Sequence, residues 1–423
     1  MKLFVEKSAL AGAVRIPGSK SHTVRAVVIG ALAHGQSAIR EPLESLDTLA
    51  CVRVCRGLGA RIEAEPGLWR VVGTGGRLAT PGDVLDVGNS GTTLYVTLGT
   101  AALGGGWSIF TGDEQTRRRS AEPLLGALRA LGVEAFSTRG NGCAPIAVKG
   151  PMRGGAASIE CPTSQYLTSL LLNCPLAEGD AAIEVPLLHE RPYVEMTLGW
   201  LERQGIRYER EGFERFRVPG GQRYGPFDLA IPADFSSAAF FAVAAAVTGS
   251  EATLVGLDPR DSQGDKAVFD MLAAMGAEVE WGGQGVTVRG RGLRGGRFDL
   301  NATPDLLPAM AVAACCAEGE TLLGNVPQAR IKETDRLAVM REELAKMGAR
   351  IEELPDGLVV QGGALRGAEV DGHADHRVVM ALAVAGLAAS GHTSVAGAEA
   401  AAVTFPNFVE LMAGLGARLK TGD

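Results

Sequence analysis

Apolar residues in this chain recur at spacings of three and four in stretches that end on a glycine, after which apolar and polar residues alternate. Val268, Met271, Leu272 and Met275 ahead of Gly276 are one example. The pattern occurs six times, at Leu58-Gly59-Ala60, Leu131-Gly132-Val133, Gln204-Gly205-Ile206, Met275-Gly276-Ala277, Met347-Gly348-Ala349 and Leu415-Gly416-Ala417. Successive glycines fall 73, 73, 71, 72 and 68 residues apart. A glycine at that point supplies the left-handed residue that closes a helix, and the chain then enters a strand such as Ala60-Arg61-Ile62-Glu63. A unit of ~70 residues is too long for a solenoid repeat and suits a βαβαββ module. Six modules in 423 residues predict an α/β protein of two domains, each of three βαβαββ units. The turn-rich stretch Pro219–Pro226 and the break at Pro17-Gly18 set the expected boundaries. One domain is expected over 19–225, the other over 1–18 with 226–423.

Charge and composition narrow the function. Hydrophobic residues make up 46% and charged ones 21%, too apolar for disorder. A net charge of −7 gives no global field for nucleic acid or an anionic membrane, so an anionic substrate needs locally clustered Lys and Arg. The longest apolar run, Ala238 to Thr248, is far short of the ~20 residues of a membrane helix and is expected to be a buried helix. Seven cysteines with no CxxC pair predict reduced thiols, and the start MKLFVEKSALAG is not a signal peptide, so a cytoplasmic location is expected.

Several segments suit anions. Gly18-Ser19-Lys20-Ser21 with Arg25 runs into an apolar helix that Ser21 could cap. Gly88-Asn89-Ser90-Gly91-Thr92-Thr93 lets a backbone approach a ligand ahead of a helix. Of Arg117, Arg118 and Arg119, at most one is expected to bind substrate. In Arg330-Ile331-Lys332-Glu333-Thr334-Asp335-Arg336, one helical turn would put Lys332 and Arg336 on a common face with Glu333 and Asp335 turned away. Asp375 is expected to cap the apolar helix after His376-Arg377. His373 and His376 lack partners at metal-ligand spacing, so no metal is expected. Gly290-Arg291-Gly292-Leu293-Arg294-Gly295 satisfies GxGxxG, but no helix is predicted after it and a dinucleotide site is excluded.

Taken in order, these motifs resemble the enolpyruvyl transferase family, EPSP (5-enolpyruvylshikimate-3-phosphate) synthases above all. The resemblance runs from Pro17-Gly18-Ser19-Lys20-Ser21 through Gly88–Thr92, Thr163-Ser164-Gln165, Arg191-Pro192-Tyr193 and Asp234–Ala238 to Lys332–Arg336, Asp375-His376-Arg377 and Thr404-Phe405-Pro406. It implies two domains in an inside-out α/β barrel, each of three βαβαββ units, which close over substrate. It also implies transfer of the carboxyvinyl group of phosphoenolpyruvate (PEP) to a hydroxyl of shikimate 3-phosphate or a close relative, without metal or organic cofactor. The implied partners are these small molecules, with no nucleic acid or membrane, and a monomer is expected. Lys20, Gly91, Arg119, Gln165, Arg336 and Arg377 match the family's PEP-binding positions. Ser21, Arg25, Thr163, Ser164, Gln165, Glu190, Tyr193, Asp305, Gln328 and Lys332 match acceptor positions. Asp305 matches the base for the attacking hydroxyl, and Glu333 and Lys20 match the groups that protonate the PEP methylene.

Four positions depart from the family pattern. Tyr95 stands for an Arg, Val403 for a Lys, Gln328 for an Asn, and Glu190 for a Ser that donates to the acceptor's phosphate. An ionised carboxylate cannot donate, so Glu190 either disfavours a 3-phosphate or turns to solvent or to Arg191. Two alternatives follow: a specialised relative acting on an unphosphorylated shikimate-like or other cyclic alcohol, or a non-catalytic binding protein on the same fold. A nucleic-acid end-processing role, as in RNA 3′-phosphate cyclases, is opposed by the acidic charge.

Overall fold

The computed structural model describes residues 1–422. Two compact units form, one from Gly18–Ile231 and the other from Met1–Pro17 together with the chain from Pro232 onward. The crossing falls at Ile231/Pro232, past the turn-rich stretch, because strand Asp228–Ala230 still pairs in parallel with Gln36–Arg40 of the first-named unit. Each unit has its own hydrophobic core, and the two cores share no residue.

In the unit Gly18–Ile231 the helices are α1 (Lys20–Leu32), α2 (Leu46–Gly57), α3 (Gly91–Ala101), α4 (Glu122–Ala130), α5 (Ser164–Asn173) and α6 (Arg191–Arg203). The other unit carries α7 (Phe235–Val247), α8 (Ala267–Ala274), α9 (Leu307–Cys315), α10 (Arg336–Lys346), α11 (His376–Ala388) and α12 (Phe408–Gly414). Odd-numbered helices are apolar nearly all round and buried, whereas even-numbered ones bury one face. In α7 every residue from Phe235 to Ala246 is buried, as the apolar run predicted. No helix among the described residues is long and apolar enough to cross a membrane.

Each unit holds three four-stranded sheets, and all six follow one plan. An edge strand pairs in parallel with the second strand, and the remaining two pairings are antiparallel. Gln36–Arg40, for example, pairs in parallel with Asp228–Ala230 and antiparallel with Leu68–Val72, which pairs antiparallel with Arg61–Glu65. The sequence repeat is therefore a structural repeat. Its punctuation is the glycine: Gly59, Gly132, Gly205, Gly276, Gly348 and Gly416 all have φ between 66° and 106°. After each, the next residue's N–H reaches back to a carbonyl five residues earlier, as Ala60 does to Cys55 (3.0 Å) and Ala277 to Leu272 (2.9 Å). That bond closes the helix, and a side chain at the glycine would be forced into the left-handed region. After Gly290-Arg291-Gly292 come the short strands Leu293–Arg294 and Arg297–Asp299, with no helix between.

Candidate active site

In the unit Gly18–Ile231 the expected residues gather at the starts of the buried helices. Lys20 opens α1 behind Ser19, so Ser21 lies inside the first turn and does not cap it. Lys20 Nζ donates to Asp47 Oδ2 at 3.0 Å. Asp47 sits in the first turn of α2, after a capping box between Ser45 and Thr48. Thr93 Oγ donates to the Asp47 carbonyl (3.3 Å), Ser90 caps α3, and Gln165 Nε2 at the start of α5 donates to Thr92 Oγ1 (3.2 Å). These bonds join the first turns of α1, α3 and α5 through α2. Gly91 is the first residue of α3, and a Cβ there would lie 2.6 Å from an Arg119 guanidinium nitrogen, so Arg119 lies against the glycine backbone. The other two arginines of that run are used elsewhere, Arg117 on the Gly112 carbonyl and Arg118 on Glu114 at the surface.

Arg25 is buried, and its hydrogen bonds go to neutral oxygens: Thr197 Oγ1 (3.0 Å), Ser21 O (2.9 Å), Thr168 Oγ1 (3.3 Å) and Tyr193 O (2.9 Å). Burial lowers its pKa to about 10, still far above neutrality. A guanidinium held this way stays charged with no carboxylate among its hydrogen-bond partners.

Glu190 does not face solvent. It is 2% exposed, in a left-handed conformation (φ 61°) just ahead of α6. Its Oε2 accepts from Ser164 Oγ (2.7 Å), Ser164 N (3.0 Å) and Thr163 Oγ1 (3.2 Å). Tyr95 is a core residue, packed edge-on against Tyr166 (centroids 5.0 Å apart), with both hydroxyls donating to the Ser120 carbonyl.

The second cluster belongs to the other unit. Arg336 is 0% exposed and donates to Asp375 Oδ2 (2.8 Å) and Oδ1 (3.1 Å), Asp305 Oδ1 (2.8 Å) and Glu333 Oε2 (2.6 Å). Arg377 donates to Asp305 Oδ2 at 2.8 Å. Two guanidiniums thus meet three carboxylates. Burial opposes the charge on Arg336, yet Asp375, Glu333 and Asp305 hold its pKa above the usual value. Burial likewise opposes the charge on Asp375, but Arg336 keeps its pKa below the usual range. Asp375 also caps α11 through the Arg377 N–H (2.9 Å), as its position predicted.

The expected geometry around Arg336 is corrected. Helix α10 begins at Arg336, so Lys332 precedes the helix rather than sharing a helical face with it. Glu333 turns toward Arg336 instead of away. Gln328 is buried with its amide on the Asn301 carbonyl (2.8 Å), a brace inside the unit. Val403 is buried in a short 3₁₀ segment ahead of Thr404.

Two carboxylates escaped the sequence reading. Asp47 pairs with Lys20 across 27 positions, and only its place in a capped first turn marked it. Asp265 is buried and accepts from Ser236 Oγ at the start of α7. Burial, then Asp305, raise its pKa to about 7, against the pull of Arg377 and Ser236. Its segment, Asp261-Ser262-Gln263-Gly264-Asp265, looks like any polar turn.

The model of the EPSP synthase (3-phosphoshikimate 1-carboxyvinyltransferase) family matches residues 5–412. The chain belongs to the EPSP synthase family. Among curated relatives of the family, a 3-phosphoshikimate 1-carboxyvinyltransferase of Acetivibrio thermocellus is 55% identical over 421 residues, covering 100% of both chains. One from Ruminiclostridium cellulolyticum is 51% identical over 99% of this chain and 100% of its own. A solved structure of EPSP synthase from Acinetobacter baumannii superposes with a TM-score of 0.84 at 29% identity, covering 100% of both chains. The fold is that of the enolpyruvyl transferases, and its members' names describe a transferase.

Proposed function

We propose that this chain transfers the carboxyvinyl group of PEP to a hydroxyl of shikimate 3-phosphate or a close relative, releasing phosphate. The observation that carries the proposal is Asp305 held between Arg336 and Arg377, beside Glu333, in a chain with full-length relatives named for this reaction. Each Asp305 oxygen accepts one guanidinium N–H, which orients the carboxylate for its proposed role as base. In the proposed reaction Asp305 takes the hydroxyl proton as the hydroxyl oxygen bonds to C2 of PEP, while Glu333 or Lys20 delivers a proton to the methylene carbon. Loss of a methyl proton and of phosphate then restores the double bond.

Lys20, the Gly91 amide, Arg119 and Gln165 are the proposed PEP contacts of one unit, and Arg336 and Arg377 those of the other. Arg336 already donates four hydrogen bonds to carboxylates and is fully buried, so contact with an anion requires its surroundings to shift. Ser21 and Arg25 are the proposed contacts to the acceptor's carboxylate, for which the neutral surroundings of Arg25 leave its charge uncommitted. Thr163, Ser164, Tyr193, Gln328 and Lys332 remain proposed acceptor contacts, with Gln328 acting through its brace on Asn301. The test is phosphate release from PEP with shikimate 3-phosphate and with shikimate. Asp305→Asn is expected to cut kcat by about 10²–10⁴-fold with its fold intact. Turnover by Asp305→Asn at the wild-type rate would remove the base from Asp305.

A further inference from the structure

The first turn of α2 places a carboxylate where the helix itself does not need one. An acidic residue there complements the helix dipole from the surface, but the Asp47 side chain is 5% exposed and its Oδ2 accepts from Lys20 Nζ at 3.0 Å. Lys20 is itself only 14% exposed. Burying a charge pair carries a desolvation cost that only good geometry offsets. The backbone that carries Asp47 is tied to both neighbouring helices. Thr93 Oγ1 of α3 donates to the Asp47 carbonyl (3.3 Å), and Thr48 Oγ1 donates to the Leu43 carbonyl (2.6 Å). The Leu43 N–H in turn donates to Thr23 Oγ1 of α1 (3.1 Å). Lys20, by contrast, carries its charge on a flexible four-carbon stem. The fixed partner is the carboxylate and the guided one is the ammonium.

We infer that Asp47 is a positioning residue for the proposed carboxyvinyl transfer: acting through Lys20, it aims the ammonium at PEP and weakens the binding of that anion in doing so. The inference rests on the proposed reaction and adds a residue to its machinery. An ammonium has three donors, and fixing one of them restricts where the other two can point. A displacement of about 1 Å in a group that meets the reacting atoms costs on the order of a hundredfold in rate. The charge of Asp47 works against binding. A PEP oxygen on Lys20 lies two hydrogen bonds from Asp47, ~6 Å away. At that distance and an effective dielectric near 20, one pair of like charges weakens binding about a hundredfold. Loss of Asp47 therefore acts in opposite directions on the two kinetic constants, lowering kcat without raising KM for PEP. A residue that only supported the fold of α2 would not separate them.

The experiment measures kcat and KM for PEP by phosphate release with saturating shikimate 3-phosphate, in wild type, Asp47→Ala, Asp47→Asn, Lys20→Met and the Lys20→Met/Asp47→Ala pair. The rate of reductive dimethylation of Lys20, followed by mass spectrometry against the other lysines, reads its hold by Asp47 without turnover. Asp47→Ala is expected to lower kcat by at least ~30-fold, with KM for PEP unchanged or lower. Asp47→Asn keeps an acceptor oxygen of the same size and is expected to recover part of that loss, which guards against misfolding of the alanine variant. On Lys20→Met, Asp47→Ala is expected to change the residual kcat by less than ~3-fold, because the residue it acts through is gone. Lys20 is expected to react at least ~10-fold faster in Asp47→Ala, whose loss of the carboxylate frees the amine for the reagent. An unchanged kcat, a fall in kcat that is equally large on Lys20→Met, a KM raised more than ~10-fold or an unchanged Lys20 reactivity would each overturn the inference. If Lys20 reacts faster in Asp47→Ala while wild type releases no phosphate with any acceptor, Asp47 still aims Lys20 and the proposed reaction is what fails.

Discussion

Arg336→Ala tests the charge cluster most directly, because the guanidinium is wholly enclosed and its acceptors are known. The substitution removes bonds to Asp375 (2.8 and 3.1 Å), Asp305 (2.8 Å) and Glu333 (2.6 Å). Asp305 keeps Arg377, and Glu333 has 11% of its side chain exposed. Asp375, at 0% exposure, is left buried without its guanidinium. Removing one member of a buried ion pair costs about 3–5 kcal/mol, a large part of the ~5–15 kcal/mol that holds a domain folded. The pH dependence separates this from simple loss of packing. In wild type the depressed pKa of Asp375 gives stability that is present above the unfolded carboxylate value of ~3.9 and lost only as pH falls through the still lower folded value. Between pH 7.5 and 5.5 that contribution is constant. In Arg336→Ala burial and Glu333 push the folded pKa of Asp375 up, opposed by His376 and by the hydrogen bonds from the Arg377 N–H and Thr334. It should therefore move above the unfolded value, and the variant should gain stability as pH falls. Hydrogen exchange at the α11 amides in rising urea reads the stability of this unit specifically. The difference from wild type should reach about 3–5 kcal/mol at pH 7.5 and narrow at pH 5.5. A difference under ~1 kcal/mol, or one equal at both pH values, would refute the reasoning.

Asp265 carries the opposite sign: its folded pKa of about 7 lies above the unfolded value, so wild type should lose stability as pH rises from 5 to 8. Asp265→Asn should flatten that slope in thermal melts. Gly91→Ala places a methyl 2.6 Å from the Arg119 tip, a flexible group that can swing aside, so Tm should hold while KM for PEP rises about tenfold or more. An unchanged KM would separate Arg119 from PEP. Glu343, buried on α10, accepts from Asp371 N (2.9 Å) and lies 2.7 Å from His373 Nε2, ahead of the two left-handed residues His373 and Ala374. Glu343→Ala should cost about 1–3 kcal/mol in urea melts by stranding the Asp371 amide, and a neutral result would mean that the bend before Asp375 holds itself.

Residues whose role is local were legible in the sequence. The six closing glycines are set by the backbone at a helix end, and Asp375 caps the next turn, so spacing alone found them. What stayed hidden depends on distant partners. Lys20 meets Asp47 across 27 positions and Arg336 meets Asp375 across 39, and no periodicity within one helix reports either contact. The Glu333 error has the same origin. Treating Lys332 to Arg336 as one helical turn put Glu333 on the wrong side, whereas the helix starts at Arg336 and frees the preceding residues to fold back on it. Glu190 was visible as a departure, but its direction depended on a left-handed residue that no propensity assigns to glutamate.

The sixfold repeat gives the chain six buried helices, several of whose first turns carry candidate residues, and the caps divide them. In the unit Gly18–Ile231, α3 and α5 are capped by the neutral hydroxyls of Ser90 and Thr163. In the other unit, α7 and α11 are capped by the carboxylates of Asp234 and Asp375. A hydroxyl cap satisfies an amide yet leaves the positive end of the dipole for an incoming anion, while a carboxylate cap neutralises that end itself. The first arrangement suits binding of phosphates and carboxylates. The second lies beside the cluster in which Asp305 and Glu333 pair with Arg336 and Arg377. Glu190 crosses this division by bringing a carboxylate onto the first turn of α5, where the Thr163 and Ser164 hydroxyls both donate to it.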